Sequence, residues 1–215
     1  MVLTVYKLDA SPPARATLMM LEALNIKDVQ YIDVDLFAKE HLSQEFQKLN
    51  PQHTVPTIKD GDFVLWDSHA IASYLVSVYG KEDALYPREP KRRAVIDQRL
   101  HFDGGICFPA LRGVMFPVLF LGEPKFRPEN LARITAAYEF GEKFLDKQWM
   151  AGDSLTIADI CCVATFSSMD AIIPVDKQKY PKLCAWLSRC SQLDFYVKAN
   201  EPGLQIFKSL FLFHH

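Results

Sequence analysis

VLTVYKLDASPPARATLMMLEALNIKDVQYIDV, residues 2–34, decides the fold. Residues 2–8 are rich in β-branched and aromatic side chains and read as a strand. Residues 14–24 place Leu18, Leu21 and Leu24 at three-residue spacing, the pattern of a helix with one apolar face. Residues 29–34 read as a second strand. A strand–helix–strand unit calls for parallel strands and a right-handed crossover. Its first turn carries a serine, Ser11, ahead of Pro12 and Pro13. Serine caps helices, and proline suits the first helical position because the N–H it lacks would be unpaired there. On these residues alone, capping is the plain reading of the turn.

Downstream, Ser43 is placed to cap a short helix carrying Phe46 and Leu49, which ends at Asn50-Pro51. TVPTIKDGDFVLWDS, residues 54–68, then joins two strand-like runs through Asp60-Gly61, a strong hairpin signal. Ser68 opens a third helix with Ile71, Tyr74, Leu75 and Val78 on its buried face. The expected order is βαβ, α, ββα over residues 1–80, with a polar linker at 81–90 and an all-helical region at 91–215. Residues 91–121 have helical period but contain Gly104, Gly105, Pro109, Gly113 and Pro117, which predict bends. Further helices are expected over 128–148 and 181–190, and the tail at 203–213 is apolar enough to pack back on the body. Thr156 and Asp159 have capping-box spacing at the head of an apolar helix.

Twenty-four Lys and Arg against 26 Asp and Glu leave a charge of −2, which asks for neither nucleic acid nor an anionic membrane. No uninterrupted apolar run is of bilayer-spanning length, and the N-terminus does not read as a signal peptide. The five cysteines are odd in number, lie in the second half and form no C-x-x-C pair. They read as reduced, buried thiols of a cytoplasmic protein, with no disulfide framework and no thiolate metal site. Pro56 stands where a ladder donor belongs. It reads either as an edge proline or as a cis Val55–Pro56 turn whose freed backbone holds an extended peptide.

The motifs SPPARA (11–16), EHLSQEFQKLNPQHTVPTI (40–58), DSHAI (67–71), LYP (85–87), LHFDGGICF (100–108) and GDSLTIADI (152–160) occur in this order along most of the chain. The chain resembles the cytosolic glutathione S-transferases, most closely the insect delta/epsilon group and within it the epsilon class. The resemblance implies a thioredoxin-like α/β domain that binds glutathione as co-substrate, then an all-α domain that supplies an apolar electrophile pocket. It also implies a cytoplasmic homodimer active in xenobiotic detoxification and insecticide resistance, with peroxide reduction or dehydrochlorination as further reactions. A non-catalytic carrier of apolar ligands on the same fold is the alternative.

On that resemblance Ser11 is the catalytic residue: its hydroxyl donates a hydrogen bond to the glutathione thiolate, where a redox relative would carry cysteine. Val55, with its neighbours Thr54 and Pro56, would pair with the cysteinyl unit through the backbone. Asp67 would take the γ-glutamyl ammonium and Ser68 its carboxylate, while His41 and His53 hold the glycyl end. His69 supports the site or packs across a subunit interface. Arg112 is a lone cation among apolar neighbours, suited to a carboxylate such as that of glutathione. Pro13, Leu36, Phe108, Leu111, Met115, Phe116, Leu119, Phe120, Phe207 and Leu210 would wall the electrophile pocket. One departure stands out. The epsilon pattern reads Glu-Ser-His where this chain has Asp67-Ser68-His69, so weaker glutathione binding is expected.

Overall fold

The computed structural model describes residues 2–211. Strand β1 (Leu3–Lys7) leads into α1 (Pro12–Ala23) and returns as β2 (Val29–Asp33). Helix α2 (Gln44–Leu49), the hairpin of β3 (Thr57–Asp60) and β4 (Phe63–Trp66), and α3 (Ser68–Tyr79) follow. The sheet runs β2-β1-β3-β4, with β1 parallel to β2 and the other pairs antiparallel, as the βαβ–α–ββα reading requires. Alternation along β1 buries Leu3, Val5 and Lys7 on the helix-covered face. The Lys7 ammonium is neutralised there by Asp9 at 2.7 Å and Asp33 at 2.6 Å. The β3–β4 turn is Gly61-Asp62, with Gly61 at φ 60°, a conformation that favours glycine.

Helix α1 begins at Pro12, two residues before its apolar pattern, because proline's fixed φ already fits a first turn. Ser43 caps α2 as expected, its Oγ accepting from the Phe46 N–H at 3.2 Å. Helix α3 opens at Ser68 as expected, with Asp67 as its cap: Asp67 Oδ1 accepts from the N–H groups of His69 at 2.9 Å and Ala70 at 3.2 Å.

From Pro90 onward the elements are helical: α4 (Pro90–Phe102), a π-helical turn (Asp103–Cys107), α5 (Phe108–Leu121), α6 (Pro128–Phe144), α7 (Ile157–Asp170) and α8 (Pro181–Ser191). The α6 helix stops short of the expected residue 148 because Leu145 leaves helical geometry at ψ 51°. The apolar tail forms two helices, α9 (Asp194–Ala199) and α10 (Glu201–Ser209); residues 212–213 of the expected tail lie outside the described residues. The bend expected at Gly104-Gly105 takes the form of the π turn, which carries α4 into α5 without a break. The joined helix, Pro90–Leu121, is long and apolar enough by composition to cross a membrane, although polar residues interrupt its apolar stretches. Much of its apolar character has a local use. Ala110, Leu111, Val114 and Val118 pack into the core while Phe108, Met115, Phe116 and Phe120 face a cleft.

Helix α7 is the central post, buried at every residue from 157 to 169. Its start is fixed by Asp159. Oδ2 accepts from the Thr156 N–H and hydroxyl at 2.9 and 3.1 Å, and Oδ1 accepts from Met150 N–H and Trp186 Nε1 at 2.7 and 3.0 Å. Four donors satisfy this buried carboxylate, whose pKa burial nonetheless pushes upward. Leu3, Met19 and Ile71 share one core with Ile160, Phe166 and Trp186, so the sheet half and the helical half pack as a continuous interior. Arg15 of α1 crosses that junction fully buried, hydrogen-bonded to Asn200 and Ser168 and lying 5.9 Å from the Phe207 ring. Burial lowers its pKa to about 10, so the guanidinium stays charged at neutral pH. Gly203 of α10 meets the same turn: a Cβ there would lie 2.1 Å from the Asp9 carbonyl oxygen.

Candidate active site

A cleft of about 550 Å³ opens where α1, the loops before α2 and β3, and the start of α3 face α5 and α7. Two helix N-termini point into it, and they are finished differently. At α3, Asp67 commits one carboxylate oxygen to the cap while its side chain remains 60% exposed. At α1, Ser11 occupies the capping position with extended backbone (φ −72°, ψ 120°), yet its side chain makes no capping bond. A capping oxygen accepts from the N–H of the second or third helical residue; Pro13 removes the second, and the hydroxyl leaves the third, that of Ala14, unbonded. The two prolines hold the helix start without engaging the hydroxyl. Plain capping does not describe this serine. Its hydroxyl lies in the cleft wall beside the positive end of the α1 dipole.

The loop before β3 forms the opposite side. Val55–Pro56 is a cis peptide, and Thr54, Val55 and Pro56 all line the cleft. Asn50, fully buried, donates to the Thr54 carbonyl at 3.1 Å and Thr57 Oγ1 at 2.9 Å, fixing the loop's course. His41 and His53 stand with ring centroids 6.0 Å apart, and Gln52 beside them joins the lining. Burial, then the neighbouring His53, lowers the His41 pKa, so it is a neutral hydrogen-bonding group at pH 7.

Ser68 and His69 complete the polar end. His69 Nε2 lies 2.9 Å from Asp103 Oδ2 and its Nδ1 lies 3.5 Å from Asp67 Oδ1. Burial acts to lower the His69 pKa, but the hydrogen bonds and charges of Asp103 and Asp67 outweigh it and raise it to about 9. The same contact, ahead of burial, depresses the Asp67 pKa. His69 is therefore a cation between two carboxylates, tying α3 to the π turn. Gly104 permits that approach: a Cβ there would stand 3.3 Å from His69 Cε1. Asp103 Oδ1 is buried without a hydrogen-bond partner at the cleft floor, beside Cys161 and Thr165 of α7. Asp103, Gln52, Leu42 and Thr165 were not singled out in the sequence. Asp103 sat inside LHFDGGICF, where an acidic residue before two glycines was the only signal.

The apolar end gathers Pro13, Leu36, Phe108, Met115, Phe116 and Phe120. Arg112 also lines it, exposed, with its guanidinium 4.4 Å from the Phe116 centroid. Four expected wall residues are placed elsewhere. Leu111 is fully buried in the core with Ala110, Val114 and Val118 of α5, and Leu119 packs against that core. Phe207 is buried beside Arg15, and Leu210 packs on the same interior, because α10 docks behind the Asp9–Ser11 turn instead of over the cleft. Helical spacing marked an apolar surface in each case; only packing determined which face met the cleft.

Residues 10–78 match the family model of the glutathione S-transferase N-terminal domain, and residues 114–194 that of the C-terminal domain. The chain is 63% identical over 211 residues to glutathione S-transferase 1 of Manduca sexta, covering 98% of this chain and 97% of that protein. Among solved structures it is similar to an epsilon-class glutathione S-transferase of the housefly, Musca domestica. That pair shares 45% identity and a TM-score of 0.94, over 97% of this chain and 96% of that one. A Drosophila mojavensis glutathione transferase homologue, solved with bound glutathione, has 45% identity and a TM-score of 0.94 over 97% and 95% of the two chains. The sheet order and the helical second half agree with these likenesses: the chain belongs to the glutathione S-transferase family and is a glutathione transferase.

Proposed function

We propose that this transferase activates glutathione through Ser11 and conjugates it to apolar electrophiles in a cleft shared by residues 1–80 and 91–215, joined by a linker at 81–90. The observation that carries the reading is the Ser11 hydroxyl, uncommitted to its helix and lining the cleft at the α1 N-terminus. A free thiol titrates near about 8.5, so a hydroxyl donor and a positive helix end that favour the anion raise the nucleophile's concentration at neutral pH. Ser11 keeps its proton throughout. The sulfur forms the bond to the electrophilic carbon, and the leaving group departs with its electron pair and takes a proton from solvent.

The remaining residues supply orientation, which converts a two-molecule encounter into a reaction within one complex. The Val55 backbone, with Thr54 and Pro56, suits the cysteinyl unit. His41 and His53 suit the glycyl end, Ser68 at the α3 N-terminus suits the γ-glutamyl carboxylate, and the free oxygen of Asp67 suits its ammonium. His69 supports Asp67, and Arg112 is placed for a carboxylate. The apolar wall from Pro13 to Phe120 receives the electrophile. A cytoplasmic homodimer serving xenobiotic detoxification, including insecticide resistance, is the biological setting we propose, on the likeness to insect transferases.

The test is conjugation of 1-chloro-2,4-dinitrobenzene by wild type and Ser11→Ala, with glutathione affinity measured for both. Turnover that collapses in the variant while glutathione still binds supports thiolate activation. Glutathione bound without turnover in either protein supports a carrier of apolar ligands instead.

A further inference from the structure

Along α5, Arg112, Phe116 and Phe120 stand four residues apart and form one stripe. The guanidinium covers one face of Phe116, and Phe120 stacks with Phe116 at 5.2 Å between centroids and 27° between planes. The stack then leaves the helix. Phe37, from the loop after β2, lies nearly parallel to Phe120 at 5.1 Å and 10°. That loop is wound by Asp35, whose Oδ1 accepts from the N–H groups of Phe37 at 2.8 Å and Ala38 at 3.0 Å. It turns Leu36 into the cleft and sets Phe37 on the outer side of Phe120. Phe37 itself is not part of the lining, and it remains 46% exposed, with Phe120 36% exposed. Two large rings so open to water gain little from burial, so their contact is a matter of geometry more than of core packing.

The consequence is electrostatic as well as steric. Stacking covers ring face on Phe116 and Phe120 and leaves their edges as the part best able to meet a ligand in the cleft. Ring edges carry the positive end of the aromatic quadrupole, and Arg112 adds a full positive charge at the glutathione end of the row. Such a wall favours the partial negative charge of electronegative substituents, such as nitro oxygens or halogens, at the rim of a flat ring. An alkyl chain gains only contact area from it.

We propose that Phe37 is a positioning residue for Phe120, and that the Arg112–Phe116–Phe120–Phe37 ladder selects flat aryl electrophiles bearing electronegative substituents over aliphatic ones. The proposal rests on the transferase reading only in that glutathione occupies the polar end of the cleft. It adds that one residue of the glutathione-binding half sets specificity in the apolar half.

The experiment is an equilibrium titration, which needs no turnover. Binding of S-(2,4-dinitrophenyl)glutathione, S-hexylglutathione and glutathione is measured for wild type, Phe37→Ala, Phe37→Leu and Phe37→Tyr. Removing the stack in Phe37→Ala is expected to weaken the dinitrophenyl conjugate about fivefold, the size of one aromatic-pair contact, and to leave the hexyl conjugate and glutathione within about twofold. Phe37→Leu, which keeps apolar bulk in the loop, is expected to show the same selective loss, and Phe37→Tyr to restore wild-type binding. Equal weakening of both conjugates would make Phe37 a loop support and overturn the proposal, as would no weakening of either. A wild type that discriminates the conjugates yet shows no conjugation in the turnover assay would defeat the Ser11 mechanism and leave this assignment standing.

Discussion

Helices α1 and α3 both aim their N-termini at one cleft, and both carry a good capping residue, yet only one is capped. Asp67 bonds two N–H groups of α3, while the Ser11 side chain bonds none of α1, where Pro13 removes one of the two N–H groups a cap can use. The same local chemistry is spent on stability at one helix and left open for a ligand at the other. A capping residue type therefore says little about capping until the N–H groups ahead of it are counted.

The largest expected effect separates the two ends. Ser11→Ala should lower kcat about 100-fold, the scale of losing one donor to a developing or resident anion. Its unfolding free energy should stay within about 0.5 kcal/mol of wild type, since no cap is lost. A variant that instead loses stability and keeps its activity would show that the serine is a cap after all.

His69 tests the coupling of α3 to the π turn. Its folded pKa of about 9 lies above the ordinary histidine value, so its contribution is complete below about pH 6.5 and disappears as pH rises through 9. Chemical denaturation of wild type and His69→Asn should differ by on the order of 2 kcal/mol at pH 6, with the gap closing by about pH 9.5. A gap independent of pH would mean that His69 acts by packing and not by charge.

Asp67→Ala should cost about 1 kcal/mol of stability, the usual value of a lost cap, and should weaken glutathione binding as well. Thermal unfolding and a glutathione titration on one preparation measure both; stability loss with unchanged affinity would confine Asp67 to capping. Smallest is Asp67→Glu, which sharpens the contrast. The longer carboxylate should bind glutathione about two- to threefold more tightly, a gain of a few tenths of a kcal/mol, while capping less well. An unchanged dissociation constant would remove the idea that the shorter side chain weakens binding.

Legibility followed the range of the interactions. The βαβ unit, the Asp60-Gly61 hairpin, the Ser43 cap and the Thr156–Asp159 box were readable because each is fixed by residues within a few positions of one another. The polar end of the cleft was readable through its motifs, which lie on loops tied to those elements. The apolar end was readable only in part. Phe108, Met115, Phe116 and Phe120 face the cleft as expected, while Leu111 and Phe207, equally apolar, are buried. Spacing gives a helix an apolar surface wider than any single neighbour can cover.

By itself, then, the sequence determined the order of elements, the serine between strand and helix, and the proline before β3, since local dihedral preference and side-chain period suffice for these. Tertiary structure alone decided that Phe37 stacks on Phe120 and that Asp103 meets His69 across 34 residues. It also decided that α10 supports the Ser11 turn from behind, where only a glycine fits against the Asp9 carbonyl. Those contacts join segments distant in the chain, and their partners are set by how the sheet and helical halves share one core, which no short stretch of sequence encodes.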